Sequence, residues 1–152
     1  MDERAAAFWR TFLRGTGRDE ALEPYECFHF HINREGADAL LQLVLDGKKR
    51  ATSSSVEGCR LQGQRPPQPG DLSVVTDWTG RPHCVIETQT VQILPFRDVS
   101  FDLAALEGED ESLASWREGH QRFFTAEGAL LGYRFSQEMP VAFETFQLVY
   151  RD

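Results

Sequence analysis

The chain has 152 residues, 41% of them hydrophobic and 26% charged, with a formal net charge of -8 at pH 7 and an isoelectric point near 5.0. This length predicts one domain, residues 1–152, with a substantial hydrophobic core. The negative net charge excludes a protein that coats nucleic acid or an anionic membrane surface by long-range electrostatic attraction. A nucleic-acid partner would therefore have to bind a local basic patch.

The cysteine pattern and the hydropathy pattern both favour the cytoplasm as the cellular compartment. Cys27, Cys59 and Cys84 are an odd number without CxxC spacing, which is typical of reduced thiols. The N-terminus is acidic and lacks the apolar segment of a signal peptide, and the longest apolar stretch, at residues 40–45, is too short to span a bilayer. We therefore expect a cytoplasmic protein without a membrane partner, and no feature indicates a protein partner.

The N-terminal part of the chain combines one helical and one alternating pattern. Apolar residues at helical spacing predict a first helix at residues 3–14. Alternation over residues 27–32 predicts an extended segment with His29 and His31 on the same face. Such a pair of imidazoles is a candidate for metal ligation, but no third ligand is evident, so surface or hydrogen-bonding roles remain the alternative.

A second amphipathic helix follows this segment. Asn33 is a good N-cap residue, apolar residues then recur at helical spacing up to residue 45, and Gly47 stands where a left-handed C-cap would end the helix. Residues 56–64 are ambiguous and are interpreted as a short helix. The proline-rich stretch at residues 64–71 indicates an exposed loop, since apolar patterning resumes directly after it.

The strands are predicted in the second half of the chain. Residues 72–78 and 83–94 are rich in β-branched side chains and are joined by a turn, which predicts an antiparallel hairpin. Strong alternation predicts a closing strand at residues 141–150. Helices interleaved with a few strands predict an α+β fold built on a small, mostly antiparallel sheet or barrel, with helices packed around it.

A helical region lies between the hairpin and the closing strand. One or two helical turns are predicted at residues 101–106, followed by an acidic run at residues 107–111 that is usually a solvated loop or the start of a helix. Asp110 is a candidate N-cap for the next helix. That helix carries Trp116 and His120 on one face, with Arg117 adjacent.

The stretch at residues 47–55 concentrates three cations and four hydroxyls in an otherwise acidic chain. Lys48 and Lys49 are the only lysines of the protein. An ammonium, unlike a guanidinium, can lose its proton when it is desolvated and then act as a base. The alternative is that these cations merely complement the negative end of a helix macrodipole.

Four motifs occur in a characteristic order: GKKRAT at residues 47–52, PGD at 69–71, CVIET at 84–88 and EGEDESLASWREGH at 107–120. Together they resemble the ASCH domain family, and the resemblance covers residues 28–150. It implies a fold similar to the PUA domain, a small pseudo-barrel that binds RNA. Bacterial members of similar length and motif order are ribonucleases that cleave single-stranded RNA with metal dependence. A shorter branch hydrolyses the amide of N4-acetylcytidine.

The resemblance also implies candidate site residues. The lysine, threonine and glutamate of the amide-hydrolysing branch correspond to Lys49, Thr52 and Glu109, which are the predicted catalytic residues. A divalent metal is a candidate cofactor, and RNA or a modified nucleoside is the expected partner. The predicted substrate-binding residues are Lys48, Arg50, Ser53, Ser54, Trp116, Arg117 and His120. Relatives usually carry Phe-Gly-Asp where this chain has Phe30-His31-Ile32.

The chemistry sets conditions on this candidate site. A hydroxyl nucleophile needs a base, and a carboxylate can hold the lysine or exchange protons itself. On a regular strand Lys49 and Thr52 would point to opposite faces, so they share a face only if the segment turns helically. For phosphodiester cleavage, Lys49 would stabilise negative charge and Arg50 or Arg117 would anchor a phosphate. A base could stack on one of three aromatic side chains, Tyr25, Trp78 or Trp116.

These observations predict an RNA-associated hydrolase, with a ribonuclease acting on single-stranded RNA as the first hypothesis. The alternatives are an amidohydrolase of N4-acetylcytidine-type nucleosides and a non-catalytic module that binds RNA or a nucleotide. The acidic net charge favours a small ligand or a short segment over long RNA.

Overall fold

The architecture is a five-stranded mixed sheet, curled into a half-barrel, with five α-helices packed around it, in a computed structural model that describes residues 1–152. The strands are β1 (Glu26–Phe28), β2 (Ala51–Ser55), β3 (Leu72–Thr76), β4 (Pro82–Pro95) and β5 (Pro140–Arg151). The helices are α1 (Glu3–Gly15), α2 (Arg34–Leu45), α3 (Val56–Leu61), α4 (Phe101–Ala104) and α5 (Leu113–Leu131), with 3-10 turns at Phe96–Asp98 and Ala105–Glu107. The predicted α+β class is confirmed.

The strand order is β1-β3-β4-β5-β2, with only β1 and β3 parallel. The predicted β3–β4 hairpin and the closing strand β5 are both present. The register of β4 against β5 shifts at two places, between Val85 and Ile86 and between Thr88 and Thr90. Such irregularities increase local twist, which is how two long strands curl the sheet. Strand β2 pairs only with β5 and forms one edge of the sheet.

Three apolar clusters attach the helices to the sheet. Helix α5 and the segment before it pack Trp116 and Phe96 against Phe143 of β5. Helix α2 covers the sheet through a second cluster that includes Val44. Helix α1 buries Phe12 and its neighbours in a third cluster on β3 and β4. Residues of α2, α5 and edge strand β2 together line a cavity.

The structure corrects several local predictions. The alternating segment is extended only up to Phe28, and His31 has φ +63°, so His29 and His31 do not share one face of a strand. Strand β2 was not predicted at all. The N-cap of α5 is Ser112, whose side chain accepts from the Ser115 N–H, and not Asp110. Short polar runs carry too little hydrophobic periodicity to distinguish these cases.

Cys27, Cys59 and Cys84 are all free thiols in the structure. None of the helices combines the length and apolarity that crossing a membrane requires. The single-domain organisation and the cytoplasmic location stay predictions.

A carboxyl group without a cationic hydrogen-bond partner is buried in the sheet. Glu144 of β5 is 8% exposed and accepts a 2.7 Å hydrogen bond from the Thr88 hydroxyl. Burial, together with the charge of Asp71, raises the pKa of Glu144 to about 7. Since the folded protein binds this proton more tightly than the unfolded chain, Glu144 lowers stability as pH rises from about 4.5 to about 7.

We therefore expect Glu144→Gln to raise the free energy of unfolding at pH 8 by about 1–2 kcal/mol and to change it little at pH 4.5. Urea unfolding at the two pH values measures both quantities. Glu23→Gln, at an exposed loop position, is the matched control and should change neither. An equal effect of Glu144→Gln at both pH values would contradict the prediction.

Candidate functional site

The centre of the candidate site is the buried ammonium of Lys49, whose side chain is 1% exposed. Its Nζ donates to the Ala51 carbonyl at 2.9 Å, to Glu107 Oε1 at 3.2 Å and to Glu109 Oε2 at 2.7 Å. These three acceptors use all three donors of an ammonium group. Burial alone would lower the pKa of Lys49, but the charges of Glu107 and Glu109 raise it above its ordinary value. Lys49 is therefore a fixed cation and not a ready base.

Glu107 is the acceptor that organises the buried side of the site. Its Oε1 contacts Lys49 and His120 Nε2, both at 3.2 Å, while Oε2 accepts from Ser53 Oγ at 3.1 Å and from Trp116 Nε1 at 2.8 Å. Burial would raise the pKa of Glu107, but the Lys49 charge and these hydrogen bonds hold it at about 2. Glu107 is thus a permanent carboxylate with four donors.

His120 is held between Glu107 and its own helix. Its Nδ1 lies 2.9 Å from the Trp116 carbonyl, and its ring stacks on the Trp116 indole with centroids 4.1 Å apart. Although burial lowers the pKa of His120, the hydrogen bond to Glu107 and the charges of Glu107 and Glu109 raise it above its ordinary value. Both ring nitrogens face acceptors, which fits a protonated imidazole.

Glu109 is the carboxylate of the network that solvent reaches, with 20% of its side chain exposed. Burial and the negative charge of Glu107 raise the pKa of Glu109 above its ordinary value, against the opposing effect of Lys49. The two carboxylates on one ammonium thus differ: Glu107 stays ionised, while Glu109 binds a proton more tightly than an ordinary carboxyl group does. Opposite shifts in neighbouring groups are typical of acid–base sites.

A tight turn brings the acidic loop against the lysine segment. Gly108 has φ +74°, and a Cβ atom there would lie 2.3 Å from the Lys48 carbonyl oxygen, so only glycine fits without displacement. The Arg50 N–H donates to the Leu106 carbonyl at 2.8 Å beside it. These backbone contacts place the side chains of residues 107 and 109 on either side of the turn, both within reach of Lys49.

The network forms one wall of a cavity of about 660 Å³ between α2, α5 and the start of β2. The apolar part of its wall includes Phe30, Leu40 and Phe123. The polar part is formed by His31, Lys49, Thr52, Ser53, Glu107, Glu109, Asp110, His120 and Arg122. A cavity of several hundred cubic ångströms that combines apolar side chains with polar groups is typical of small-molecule sites.

Thr52 and Ser53 both line this cavity although they are successive residues of a strand. The Ser53 hydroxyl donates to Glu107, whereas the Thr52 side chain leaves the other face of β2, which it shares with its register partner Glu144, and still contributes to the cavity wall. Both positions adjoin the cavity because β2 is an edge strand. Thr52 takes no part in the hydrogen bonds of Lys49, so its hydroxyl remains available.

The structure separates the predicted site residues into two groups. Lys49, Thr52, Ser53, Glu109 and His120 come together at the cavity. The remaining predicted residues, Lys48, Arg50, Ser54, Trp116 and Arg117, do not line it.

The physical reasons differ from residue to residue. Lys48, Arg50 and Arg117 are exposed elsewhere on the surface, and Arg117 donates to the Arg97 carbonyl at 3.2 Å. Trp116 has no exposed surface, so the prediction that a base stacks on it is wrong. Its indole N–H instead donates a hydrogen bond to the buried Glu107 carboxylate.

Sequence reasoning missed Glu107 as a site residue, as well as Arg122 and Phe123 on the α5 wall. Glu107 lies in the acidic run at residues 107–111, but no pattern in that run distinguishes a buried carboxylate from an exposed one. Phe123 lies three residues after His120 in α5, so the two side chains are neighbours on one helix face, and this spacing is the signal that could have found it.

The donor set of the site does not fit a divalent metal. Ligand atoms of Glu107, Glu109 and His120 lie within 4.8 Å of one another, a separation that suits a metal centre. However, Lys49 Nζ already lies 2.7–3.2 Å from both carboxylates. A divalent ion between them would repel a buried ammonium that has no other counter-charge. The imidazoles of His29 and His31 form no alternative centre, because neither belongs to a group of three potential ligand residues.

A curled half-barrel with a cavity at its edge strand defines a small PUA-like α+β domain. A family model described as ASCH domain matches residues 26–150, and the chain belongs to this family. The ASCH family is RNA-associated. No curated protein matches the sequence significantly.

Solved structures agree with this assignment. An ASCH domain from Lactobacillus crispatus JV V101 is similar, with 36% identity, a TM-score of 0.89 and coverage of 99% of this chain and 97% of that one. A DUF984 protein from Enterococcus faecalis V583 has 31% identity and a TM-score of 0.90 over 98% of this chain and 90% of that one. A hypothetical protein, PH0355, shares the fold at 13% identity, with a TM-score of 0.52 and coverage of 82% and 97%.

Proposed function

We propose that this chain is an RNA-associated hydrolase that cleaves an N-acyl amide on a single modified nucleoside of the N4-acetylcytidine type. The observation that carries the proposal is the position of Glu109: a carboxyl group with a raised pKa, held 2.7 Å from a buried ammonium, at the wall of a cavity of about 660 Å³. A nucleoside fits a cavity of this size, whereas an RNA strand needs an open groove.

The charge distribution supports a neutral substrate over a phosphodiester. The cations that line the cavity are already engaged by carboxylates: Lys49 by Glu107 and Glu109, His120 by Glu107, and Arg122 by Glu118. The predicted phosphate anchors Arg50 and Arg117 lie outside it. A phosphate group would therefore find no free cation there, whereas an amide is uncharged in its ground state and needs none. We therefore place the amidohydrolase ahead of the ribonuclease that the sequence suggested first.

Glu109 is the proton carrier of the proposed reaction. The Thr52 hydroxyl attacks the acyl carbon, its proton passes to the Glu109 carboxylate, and a C–O bond forms. When the C–N bond breaks, Glu109 returns the proton to the leaving nitrogen and an acyl ester remains on Thr52. Water then cleaves this ester by the same route and releases the carboxylic acid.

Lys49 and Glu107 act on this reaction through Glu109. The Lys49 ammonium holds the Glu109 carboxylate at 2.7 Å and fixes its orientation. Glu107 neutralises Lys49 from the buried side, so that Glu109 remains free to take up a proton. This replaces the base role expected for Lys49, because a fully hydrogen-bonded ammonium with a raised pKa has no lone pair to offer.

The proposal is tested by incubating the purified protein with N4-acetylcytidine and, separately, with a short single-stranded RNA. Chromatography of the products measures cytidine release and strand cleavage. Release of cytidine with intact RNA is the expected result. Cleaved RNA with intact N4-acetylcytidine would favour the ribonuclease, and binding of either compound without turnover would favour a non-catalytic module.

Metal removal is expected to leave amide hydrolysis unchanged within about twofold, because Lys49 supplies the positive charge that a metal would otherwise bring. The rate of cytidine release is measured before and after dialysis against a chelator. Replacing the chelator with added Mn²⁺ or Zn²⁺ is the complementary control, and neither ion should activate. A loss of more than tenfold on chelation, restored by metal, would contradict this prediction.

A further inference from the structure

His31 has an unusual backbone conformation at the cavity wall. Its φ of +63° makes it the only residue other than glycine with a positive φ. A side chain in this left-handed region is unfavourable for residues with a Cβ atom, and such strain persists only where the surroundings impose it. Residues held in this way are concentrated at functional sites, so the contacts of this imidazole are informative.

The imidazole of His31 is fixed between two helices. It packs on Gly36 of α2 so closely that a Cβ atom at position 36 would lie 2.6 Å from the His31 Cγ. On the other side its ring meets the edge of Phe123 of α5, with centroids 5.8 Å apart. Since both helices line the cavity, the ring spans part of the cavity wall and has little freedom to rotate.

Hydrogen bonding determines which nitrogen of His31 carries the proton. Nδ1 accepts from the Ile32 N–H at 2.9 Å, so in the neutral ring the proton resides on Nε2. Burial and the nearby positive charge of His120 hold the pKa of His31 below its ordinary value, which favours the neutral ring. Nε2–H is therefore a hydrogen-bond donor of fixed position, with no protein partner in the structure.

Free donors are few among the polar groups of this cavity, and one of them, the Thr52 hydroxyl, is the proposed nucleophile. Glu107, Glu109 and Asp110 are acceptors when ionised, and Lys49 has no donor left. Arg122 is long and exposed, and it donates to Glu118. A ligand that places its own acceptor toward Nε2–H of His31 would find a complementary group there, whereas the carboxylates would repel that acceptor.

We propose that His31 determines substrate specificity by donating from Nε2 to a carbonyl oxygen of the nucleobase, the 2-oxo group of an acylated cytosine. The inference rests on the proposed amidohydrolase function and specifies which part of the base that site recognises. The acyl amide would lie at Glu109 and the base carbonyl at His31, so the cavity would recognise both ends of the pyrimidine.

The test compares two amides that differ at the 2-oxo position: N4-acetylcytosine and 4-acetamidopyrimidine, which lacks that carbonyl. For the wild type, kcat/KM is expected to be at least about tenfold higher for N4-acetylcytosine than for 4-acetamidopyrimidine. The reason is that the analogue leaves the Nε2–H of His31 without a hydrogen-bond acceptor. His31→Phe should reduce this ratio to about one, mainly by raising KM for N4-acetylcytosine. The kcat for 4-acetamidopyrimidine should change less than threefold.

Three further variants separate recognition from a structural role. Gly36→Ala should lower the same ratio by displacing the imidazole, whereas Gly15→Ala, at a helical glycine with free space around it, should not. His31→Gly removes the strained side chain, so its Tm should be no lower than that of the wild type while the selectivity is lost. A purely structural His31 would instead lower Tm and leave the ratio unchanged.

The outcomes distinguish the two proposals. A wild type that hydrolyses both amides, with a ratio that His31→Phe and Gly36→Ala leave intact, would overturn the role of His31 alone. A wild type that hydrolyses no acylated base would overturn the proposed function, and this inference with it. Imidazole ¹⁵N spectra that show the proton on Nδ1 of His31 would overturn the donor assignment whatever the activity.

Discussion

Glu107→Gln is expected to lower the free energy of unfolding by about 3 kcal/mol at pH 7. The substitution removes the charge that compensates the buried Lys49 ammonium and leaves one amide oxygen where two carboxylate oxygens accept from Lys49, Ser53, Trp116 and His120. Breaking one partner of a buried ion pair costs more than the pair itself contributes, because the remaining charge stays desolvated. Urea unfolding followed by tryptophan fluorescence measures the change.

The control for Glu107→Gln is Glu111→Gln in the same acidic run. Glu111 is exposed, so its substitution should change the free energy of unfolding by less than about 0.5 kcal/mol. Equal effects of the two substitutions would contradict the assignment of Glu107 to the buried network. Such a result would also remove the reason for treating Lys49 as a fixed cation.

The pH dependence provides an independent test of Glu107. Its pKa in the folded protein is about 2, below the ordinary value of 4.5, so its contribution to stability is present above about pH 4.5 and is lost as pH falls toward 2. The wild type should therefore lose stability in this acid range, and Glu107→Gln should lose less. This slope has the opposite sign to the slope expected from Glu144, which acts between about pH 4.5 and 7.

Glu109→Gln is expected to reduce kcat for amide hydrolysis by about 10²–10⁴-fold with the fold retained. The amide oxygen of glutamine can still accept the hydrogen bond that Lys49 Nζ donates to Glu109 at 2.7 Å, so the side chain should keep its place. However, no group remains to carry the proton from Thr52 to the leaving nitrogen. Because 20% of the Glu109 side chain is exposed, the free energy of unfolding should change far less than for Glu107→Gln.

The comparison that isolates the Glu109 effect is Asp110→Asn. Asp110 lines the same cavity but accepts from the Ser115 hydroxyl and does not contact Lys49, so its substitution should reduce kcat less than tenfold. Wild-type activity should also fall on the acid side as Glu109 becomes protonated, since a protonated carboxyl cannot accept the nucleophile's proton. Full activity of Glu109→Gln would exclude Glu109 as the proton carrier.

The site could be predicted from the sequence only in part. The motifs at residues 47–52 and 107–120 associated Lys49 with Glu109 through the family resemblance, and the structure joins them at 2.7 Å across 60 positions of the chain. The predicted phosphate contact of Arg50 and the predicted stacking on Trp116 are absent from the cavity. Whether such a side chain is exposed or buried depends on the residues that pack against it in the folded protein, and these come from distant parts of the chain.

Local patterns determined the regular elements with strong periodicity. Helices α1 and α2 were predicted from helical spacing and α2 also from its Asn33 cap, the β3–β4 hairpin from two β-branched runs, and β5 from its alternation. These predictions are correct because an element that buries one face needs apolar residues at the repeat of its own backbone, about 3.6 residues in a helix and two in a strand. Strand β2, a run of hydroxyl residues, lacks such a face and is defined by its pairing with β5.

The sequence by itself therefore determined the fold class, the order of the main elements and the two segments that carry the candidate catalytic groups. Tertiary structure alone decided that Glu107 is buried and ionised, that Glu109 faces the cavity with a raised pKa, and that His31 is held in a strained conformation. The physical reason is that periodicity is local, whereas burial, charge compensation and strain depend on side chains brought together from distant parts of the chain.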